Sequence, residues 1–377
     1  MPVSIQGLTD QNKPEEASVS IIERLNQFFI DISPIPQKEK LFFLQYLSVM
    51  LKSGISLSAG LNTLAKQTPN KRFAKILADV SSKVEKGVTF SESLRSHERI
   101  FGELFINMVE AGELSGKLEN VLNRLYLQSK KSYELKSKVK GALTYPMVVL
   151  FAMGGIGTFM IFFIVPKITS MFKEFDAELP LPTKVLIGIS DFVVQNALFT
   201  IGITAALITT LIQILRTQKG RYLFQTLLLR APIFSEIIKK INMAQFARTV
   251  SSLMKTDIMI VKTFQITSNV MGNLHYRYAL LEMGEAIKKG KKISDAISQH
   301  PNLFPPVIVQ MMSVGEETGE IDNILEELAE FYETEIDQTM ENLPAIIEPV
   351  LILVMGLGIG AIAVAIIMPM MSLSSAV

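Results

Sequence analysis

The chain has 377 residues, 49% of them hydrophobic, no cysteine and a formal charge of +1. Without cysteine there can be no disulfide, thiolate metal site, cysteine nucleophile or iron–sulfur ligation. The small net charge hides an asymmetry: residues 301–377 contain no Lys or Arg and twelve Asp or Glu, which leaves 37 basic and 24 acidic side chains, about +13, in the first 300. Such a chain can hold acidic and basic surfaces against each other or against a partner, or leave both solvated.

The apolar residues are concentrated in three runs. No charge occurs in 147–165, in 192–215 or from Pro349 onward, and each run reaches the roughly 20 residues that a helical membrane span requires.

In chain order, the polar N-terminus (Gln6, Asp10, Asn12, Lys13, Glu15, Glu16) lacks the apolar core of a signal peptide and is expected in the cytoplasm. Within a segment 1–38, Ile21, Leu25, Phe28, Phe29 and Ile32 form an amphipathic helical stripe that either packs on its own domain or docks elsewhere. Residues 39–144 read as a helical domain of about six helices. The first has Leu41, Leu44, Leu47 and Leu51 on one face and ends at Gly54. Pro69 ends the second, and Asn70 caps a third whose apolar face is Phe73, Ile76, Leu77, Val80 and Val84 before Gly87.

Transmembrane helices are expected at 145–166, 192–215 and 348–371, with an external loop 167–191, a second helical domain 216–347 and an external tail 372–377. Lys130, Lys131, Lys136, Lys138 and Lys140 precede the first span, and Arg216, Lys219 and Arg221 follow the second. The excess of cations places both flanks in the cytoplasm. The third span has no basic flank, so its direction follows from parity.

Offset by 203 residues, the chain aligns with itself. Leu51-Lys52-Ser53-Gly54 falls on Met254-Lys255-Thr256-Asp257, Gly87 on Gly290, His97 on His300, and Phe101 on Phe304. Gly112-Glu113-Leu114-Ser115-Gly116 falls on Gly315-Glu316-Glu317-Thr318-Gly319, Tyr145-Pro146 on Glu348-Pro349, and Val165-Pro166 on Met368-Pro369. The chain is therefore a tandem duplication, the second span returning it for another copy in the same orientation. The fold class is all-α: a polytopic membrane protein with two tandem six-helix cytoplasmic bundles and three transmembrane helices.

Few residues suggest chemistry. In the Gly-Glu-x-Ser/Thr-Gly corners, Gly112 and Gly315 suit a left-handed position closing one helix, and Ser115 and Thr318 suit caps of the next. Glu113 and Glu316 have no obvious local need. With Gly116 and Gly319 they form either a structural corner or one that also contacts a partner. Gly356, Gly358 and Gly360, like Gly154, Gly155 and Gly157, fit close helix packing in the membrane rather than nucleotide binding. His97 and His300 read as structural, and His275 as isolated. Glu326, Glu327 and Glu330 read as a solvated face, with weak divalent-cation binding left open. No phosphate-binding loop, zinc motif or nucleophile elbow is present, so no catalytic, cofactor or metal residues are assigned and no enzyme is expected. A transporter fits poorly, because the spans contain no ionisable group, Glu348 standing only at an entrance.

From about Phe42 to Met371 the sequence resembles the polytopic inner-membrane platform proteins of type IV pilus assembly and type II secretion, the PilC/GspF family. The resemblance rests on the duplicated layout, Leu51-Lys52-Ser53-Gly54, both corners, Tyr145-Pro146, Val165-Pro166, Leu179-Pro180-Leu181-Pro182-Thr183, Phe246-Ala247-Arg248-Thr249 and Glu348-Pro349. Asp257 departs from it, standing where the family repeats the turn glycine. The resemblance implies a non-enzymatic scaffold without cofactors in the cytoplasmic membrane. It would couple a cytoplasmic hexameric assembly ATPase, with or without a retraction ATPase, to pilin or pseudopilin subunits. Inner-membrane alignment proteins, membrane lipid and further copies of the chain would be its other partners, and nucleic acid would not. A pilus is favoured over a secretion pseudopilus.

At the offset, Lys130 and Lys138 align with Glu333 and Glu341. The helices leading into the first and third spans thus carry opposite charge at matched positions, and these stems, within one chain or between subunits, are expected to lie side by side.

Overall fold

The computed structural model describes residues 33–174, 181–256 and 258–374. The amphipathic stripe at 21–32, the Leu179-Pro180 dipeptide, Asp257 and the last three residues lie outside them. Among the described residues all regular elements are helical. The chain divides after His97 into two compact units, a boundary that falls inside the stretch read as one domain.

The first unit contains α1 (Gln37–Lys52), α2 (Leu57–Gln67), α3 (Lys71–Glu85) and α4 (Phe90–Arg95). Helix α1 buries Phe43, Leu44, Leu47 and Ser48, a face turned slightly from the leucine stripe, because Phe43 packs edge-on against Phe73 with centroids 5.7 Å apart. Gly54, at φ 82°, ends α1 where a side chain would be strained. The following helices start where side chains accept otherwise orphaned backbone N–H groups: Ser56 from Ala59, Asn70 from Phe73 and Thr89 from Glu92. Asp79 accepts from Lys83 Nζ and lies 2.7 Å from His97 Nε2, fixing the end of α4 to α3.

The second unit begins with the short α5 (Glu98–Phe101) and α6 (Glu103–Leu114). Helix α7 (Leu118–Phe159) follows, passes through a π-helical turn at Met160–Ile164 and continues as α8 (Val165–Glu174). Pro146 sits inside α7 without ending it. Next come α9 (Leu181–Gln195), α10 (Ala197–Arg216), α11 (Gln218–Arg230), α12 (Pro232–Met254), α13 (Ile260–Val270), α14 (Leu274–Lys288), α15 (Ile293–Ser298), α16 (Pro306–Thr318) and α17 (Ile321–Ser374).

Helices α12 to α17 enclose a core around Phe246, Phe264, Tyr276 and Phe304, all at most 1% exposed and mostly edge-on to one another. The Tyr276 hydroxyl donates to the Leu303 carbonyl at 2.8 Å, and burial raises its pKa. Helix α11 is tied to the α13–α14 turn: Gln225 accepts from the Leu274 N–H, and Arg221 and Gln225 donate to the Gly272 carbonyl. His275 is consequently not isolated. Its Nε2 lies 2.9 Å from Thr226 Oγ1 and its ring rests on Tyr222, burial lowering its pKa.

Among the described residues three helical stretches are long and apolar enough to cross a membrane: Leu118–Lys167, Ala197–Arg216 and Ile321–Ala365. The first and third are single helices running from a polar stem into the span. At two places the helix boundaries differ from the expected segments. The apolar helix of the second span starts at Ala197, because Asn196, at φ -114° and ψ 40°, leaves helical geometry and separates it from α9. The stretch 167–191, read as a loop, contains most of α8 and α9. The membrane glycines are a third difference. A Cβ built on Gly154, Gly155, Gly157, Gly356, Gly358 or Gly360 would meet nothing within 4 Å, so among the described residues no helix of this chain packs closely on them.

Candidate functional site

The two corners hold their glycines for different reasons from those the sequence suggested. Gly112 and Gly315 are helical residues at close approaches. A Cβ on Gly112 would stand 2.9 Å from Val121 Cγ2, and one on Gly315 would stand 3.1 Å from Ile321 Cα. The left-handed positions belong to Gly116 and Gly319, at φ 69° and 78°. Ser115 and Thr318 do not cap the following helices. Their hydroxyls donate backward, to the carbonyls of Ala111 at 2.7 Å and Val314 at 2.9 Å. Glu316 finds its partners away from the corner: its carboxylate accepts from the Ile293 and Ser294 N–H groups and the Ser294 hydroxyl, capping the start of α15. Glu113, at the matched position, also has an interaction partner.

The stems α7 and α17 run side by side. Leu135, Val139 and Ala142 of α7 pack on the core cluster that includes Ile336, Met340 and Leu343 of α17. The charge pairs are displaced from those expected. Glu333 is reached by Lys131 at 3.2 Å, whereas Lys130 turns back to Glu134 at 4.0 Å. Lys138 pairs with Asp337 rather than Glu341. Two helices in contact present one stripe each, so matched sequence positions do not become facing positions.

Helix α12 adds a second layer of charge. Arg248 binds Glu333 at 3.0 Å and lies 3.7 Å from Glu326, and Lys255 binds Glu326. Glu326 is therefore part of an ion-pair network instead of a solvated face. The Lys255 hydrogen bond is the main reason that its pKa is lowered, against the opposing effect of burial. Gln128 of α7 donates to Thr249 of α12 at 3.4 Å. The stem of the first copy is thus seated in the helical domain of the second by apolar and ionic contacts together. Among the described residues no cluster of His, Asp or Glu could hold a metal ion.

At the far ends of the stems, each span ends near a proline that cannot donate a backbone hydrogen bond. In the first, Val165 N–H bonds the Met160 carbonyl across the π turn and Pro166 has no N–H, so the Ile161 carbonyl loses its helical donors. Ser190 of α9 donates to it at 2.8 Å. In the third, Pro369 removes the donor that the Ala365 carbonyl would have used, and Thr183 of α9 donates there at 2.7 Å. Thr183 and Ser190 are 2% and 0% exposed and lie two helical turns apart on one face of α9. This clamp had no signal in the sequence beyond the aligned prolines.

Known proteins match this arrangement. A model of the family described as "Type II secretion system (T2SS), protein F" matches the chain twice, over residues 43–166 and 246–369. The type IV pilus assembly protein PilC of Myxococcus xanthus is 32% identical, over 90% of this chain and 81% of its own length. That of Thermus thermophilus is 35% identical, over 84% and 78%. The type II secretion system protein F of Vibrio cholerae is 29% identical, over 87% and 81%. With both copies matched and each match running from helical domain through stem into span, the chain belongs to the PilC/GspF family of type II secretion protein F and type IV pilus assembly proteins.

Proposed function

We propose that this chain is the inner-membrane platform of a type IV pilus assembly machine. Its N-terminus and both helical domains lie in the cytoplasm and its C-terminus outside. A cytoplasmic hexameric ATPase acts on the helical domains, and pilin subunits enter the filament beside the spans.

The observation that carries this reading is the continuity of the stems. Helices α7 and α17, of 42 and 54 residues, extend about 60 and 80 Å at 1.5 Å per residue. Each begins at a glycine corner and ends in a span, so a tilt imposed on a domain reaches the membrane without a flexible joint. The pilus assembly proteins that this chain resembles at 32% and 35% identity favour a pilus over a secretion pseudopilus.

The test is deletion of the gene in its host, with affinity capture of the tagged protein from membranes. Loss of surface filaments and co-purification of an ATPase and pilins is the expected result. Normal filaments with loss of exported enzymes would assign the chain to secretion instead. Normal output of both would overturn the platform role.

A further inference from the structure

We infer that copies of this chain associate head to tail, the α17 stem of one docking on helix α1 of the next as α7 docks on α12 within the chain.

The duplication supplies the template. Inside the chain, Gln128 of α7 meets Thr249 of α12, and Thr249 is 1% exposed. Shifted by 203 residues, this contact becomes Phe331 of α17 against Tyr46 of α1. Both partners of the shifted contact are present and both are bare, Phe331 at 54% and Tyr46 at 52% exposure.

The contrast extends along both helices. On α12, Gln245, Thr249 and Ser252 are buried or half-buried, whereas their counterparts Phe42, Tyr46 and Val49 on α1 are all exposed. On α7, Leu135, Val139 and Ala142 pack against the core, whereas their counterparts Gln338, Asn342 and Ala345 on α17 are exposed. One socket is thus filled by one stem, while the matched faces of the other socket and of the other stem are exposed. The uncovered socket is the more apolar, with Phe42 and Tyr46 stacked at 6.1 Å.

Charge supports the same register. Helix α12 runs antiparallel to α17, since Lys255 meets Glu326 while Lys240 meets Glu335. The stems run parallel to each other, as Lys131 to Glu333 and Lys138 to Asp337 require. A docked α17 is therefore antiparallel to α1. With Phe331 on Tyr46, Lys52 falls beside Glu327 and Lys38 beside Glu341, each within about 3 Å along the axis at 1.5 Å per residue. Two different surfaces are used, so the contact is heterologous and makes a ring where the rotation closes.

The native chain has no cysteine, which makes cross-linking direct. Full-length Tyr46→Cys and Phe331→Cys chains with different tags are co-expressed, and their membranes are treated with a mild oxidant. The expected product is a disulfide-linked heterodimer, with neither variant linking to itself when expressed alone. Lys52→Glu in the Tyr46→Cys chain should remove most of that band, and Glu327→Lys in the Phe331→Cys chain should restore it. Three results would overturn the inference: no heterodimer, self-linking of Tyr46→Cys as strong as the mixed product, or equal linking to an off-register Asn323→Cys chain.

Discussion

Ser190 Oγ donates to the Ile161 carbonyl at 2.8 Å, supplying the hydrogen bond that Pro166 and the π turn have taken from the first span. Thr183 does the same for Ala365 below Pro369 in the third span. In hydrocarbon an unpaired carbonyl has no water to turn to. One short helix therefore satisfies the broken ends of both copies and holds them in register. Replacing Ser190 with Ala or Thr183 with Val should each cost about 0.6–1.7 kcal/mol, the range for polar contacts between membrane helices. Unfolding of the purified protein in detergent or bicelles would measure this. Thr158→Val is the control, because that hydroxyl is exposed and bonds its own helix at Gly154, and its effect should stay within about 0.5 kcal/mol. In a Pro166→Ala background, which returns a backbone donor, Ser190→Ala should cost less. Additive costs in that double-mutant cycle would contradict the clamp.

The same helix shows where sequence reading ended. The duplication, three spans and helical class follow from periodicity, charge-free runs and one offset, because these are patterns along the chain. Asn70 as a cap and Gly54 as a stop were legible too, since both act within four residues. The clamp was not, because Ser190 and Ile161 are 29 residues apart and Thr183 and Ala365 are 182 apart. The role of Glu316 was hidden for the same reason: the N–H groups that it caps lie more than twenty residues upstream. In the corners the composition was read correctly and the roles were exchanged. A glycine at a close helix crossing and one at positive φ look alike in sequence.

The stem pairs make a graded prediction. Glu333 is 17% exposed and shared by Lys131 and Arg248, itself 15% exposed. Arg248→Met would leave the Glu333 carboxylate, among the described residues, with Lys131 alone, and should destabilise the second domain by about 1.5–3 kcal/mol, as for a lost hydrogen bond to a charged group. Lys138 and Asp337 are more open, at 49% and 38%, and swapping their charges should change stability by less than about 1 kcal/mol. Lys130→Glu should do still less, because its contact is a weak one within its own helix. Denaturant titration of the three variants would give the order, and a larger effect for Lys130 than for Arg248 would refute the assignment.

Acid sensitivity of the first unit should depend on Asp79. The Lys83 hydrogen bond is the largest effect lowering its pKa, burial opposes it, and His97 lowers it further. A carboxyl whose folded pKa lies below its unfolded value stabilises the fold above the unfolded pKa, and that stability disappears as pH falls through the folded one. The window therefore lies at and below about pH 4. The carboxylate is 43% exposed, so solvent screening limits the contribution to about 1 kcal/mol or less. Asp79→Asn should flatten this part of the stability profile, with the difference from the native protein vanishing at the acid end. Melting curves from neutral pH downward would show it, and a difference that grew on acidification would reverse the sign of the argument.

The corner at 315–319 allows its two glycines to be separated. At Gly315 the obstacle to a side chain is backbone, Ile321 Cα at 3.1 Å, with Ile324 Cδ1 at 3.3 Å behind it. Neither α16 nor α17 can yield without parting, so Gly315→Ala should cost about 1–3 kcal/mol as overpacking. At Gly319 nothing lies within 4 Å of a Cβ, and the obstacle is φ 78° alone. Gly319→Ala should cost about 1–2 kcal/mol of left-handed strain, and Gly319→Asn should recover part of it, because asparagine tolerates that conformation. Gly315→Asn should recover nothing. Thermal unfolding of the four variants distinguishes the roles: rescue by asparagine at 315 and not at 319 would mean that the two glycines had again been assigned the wrong way round.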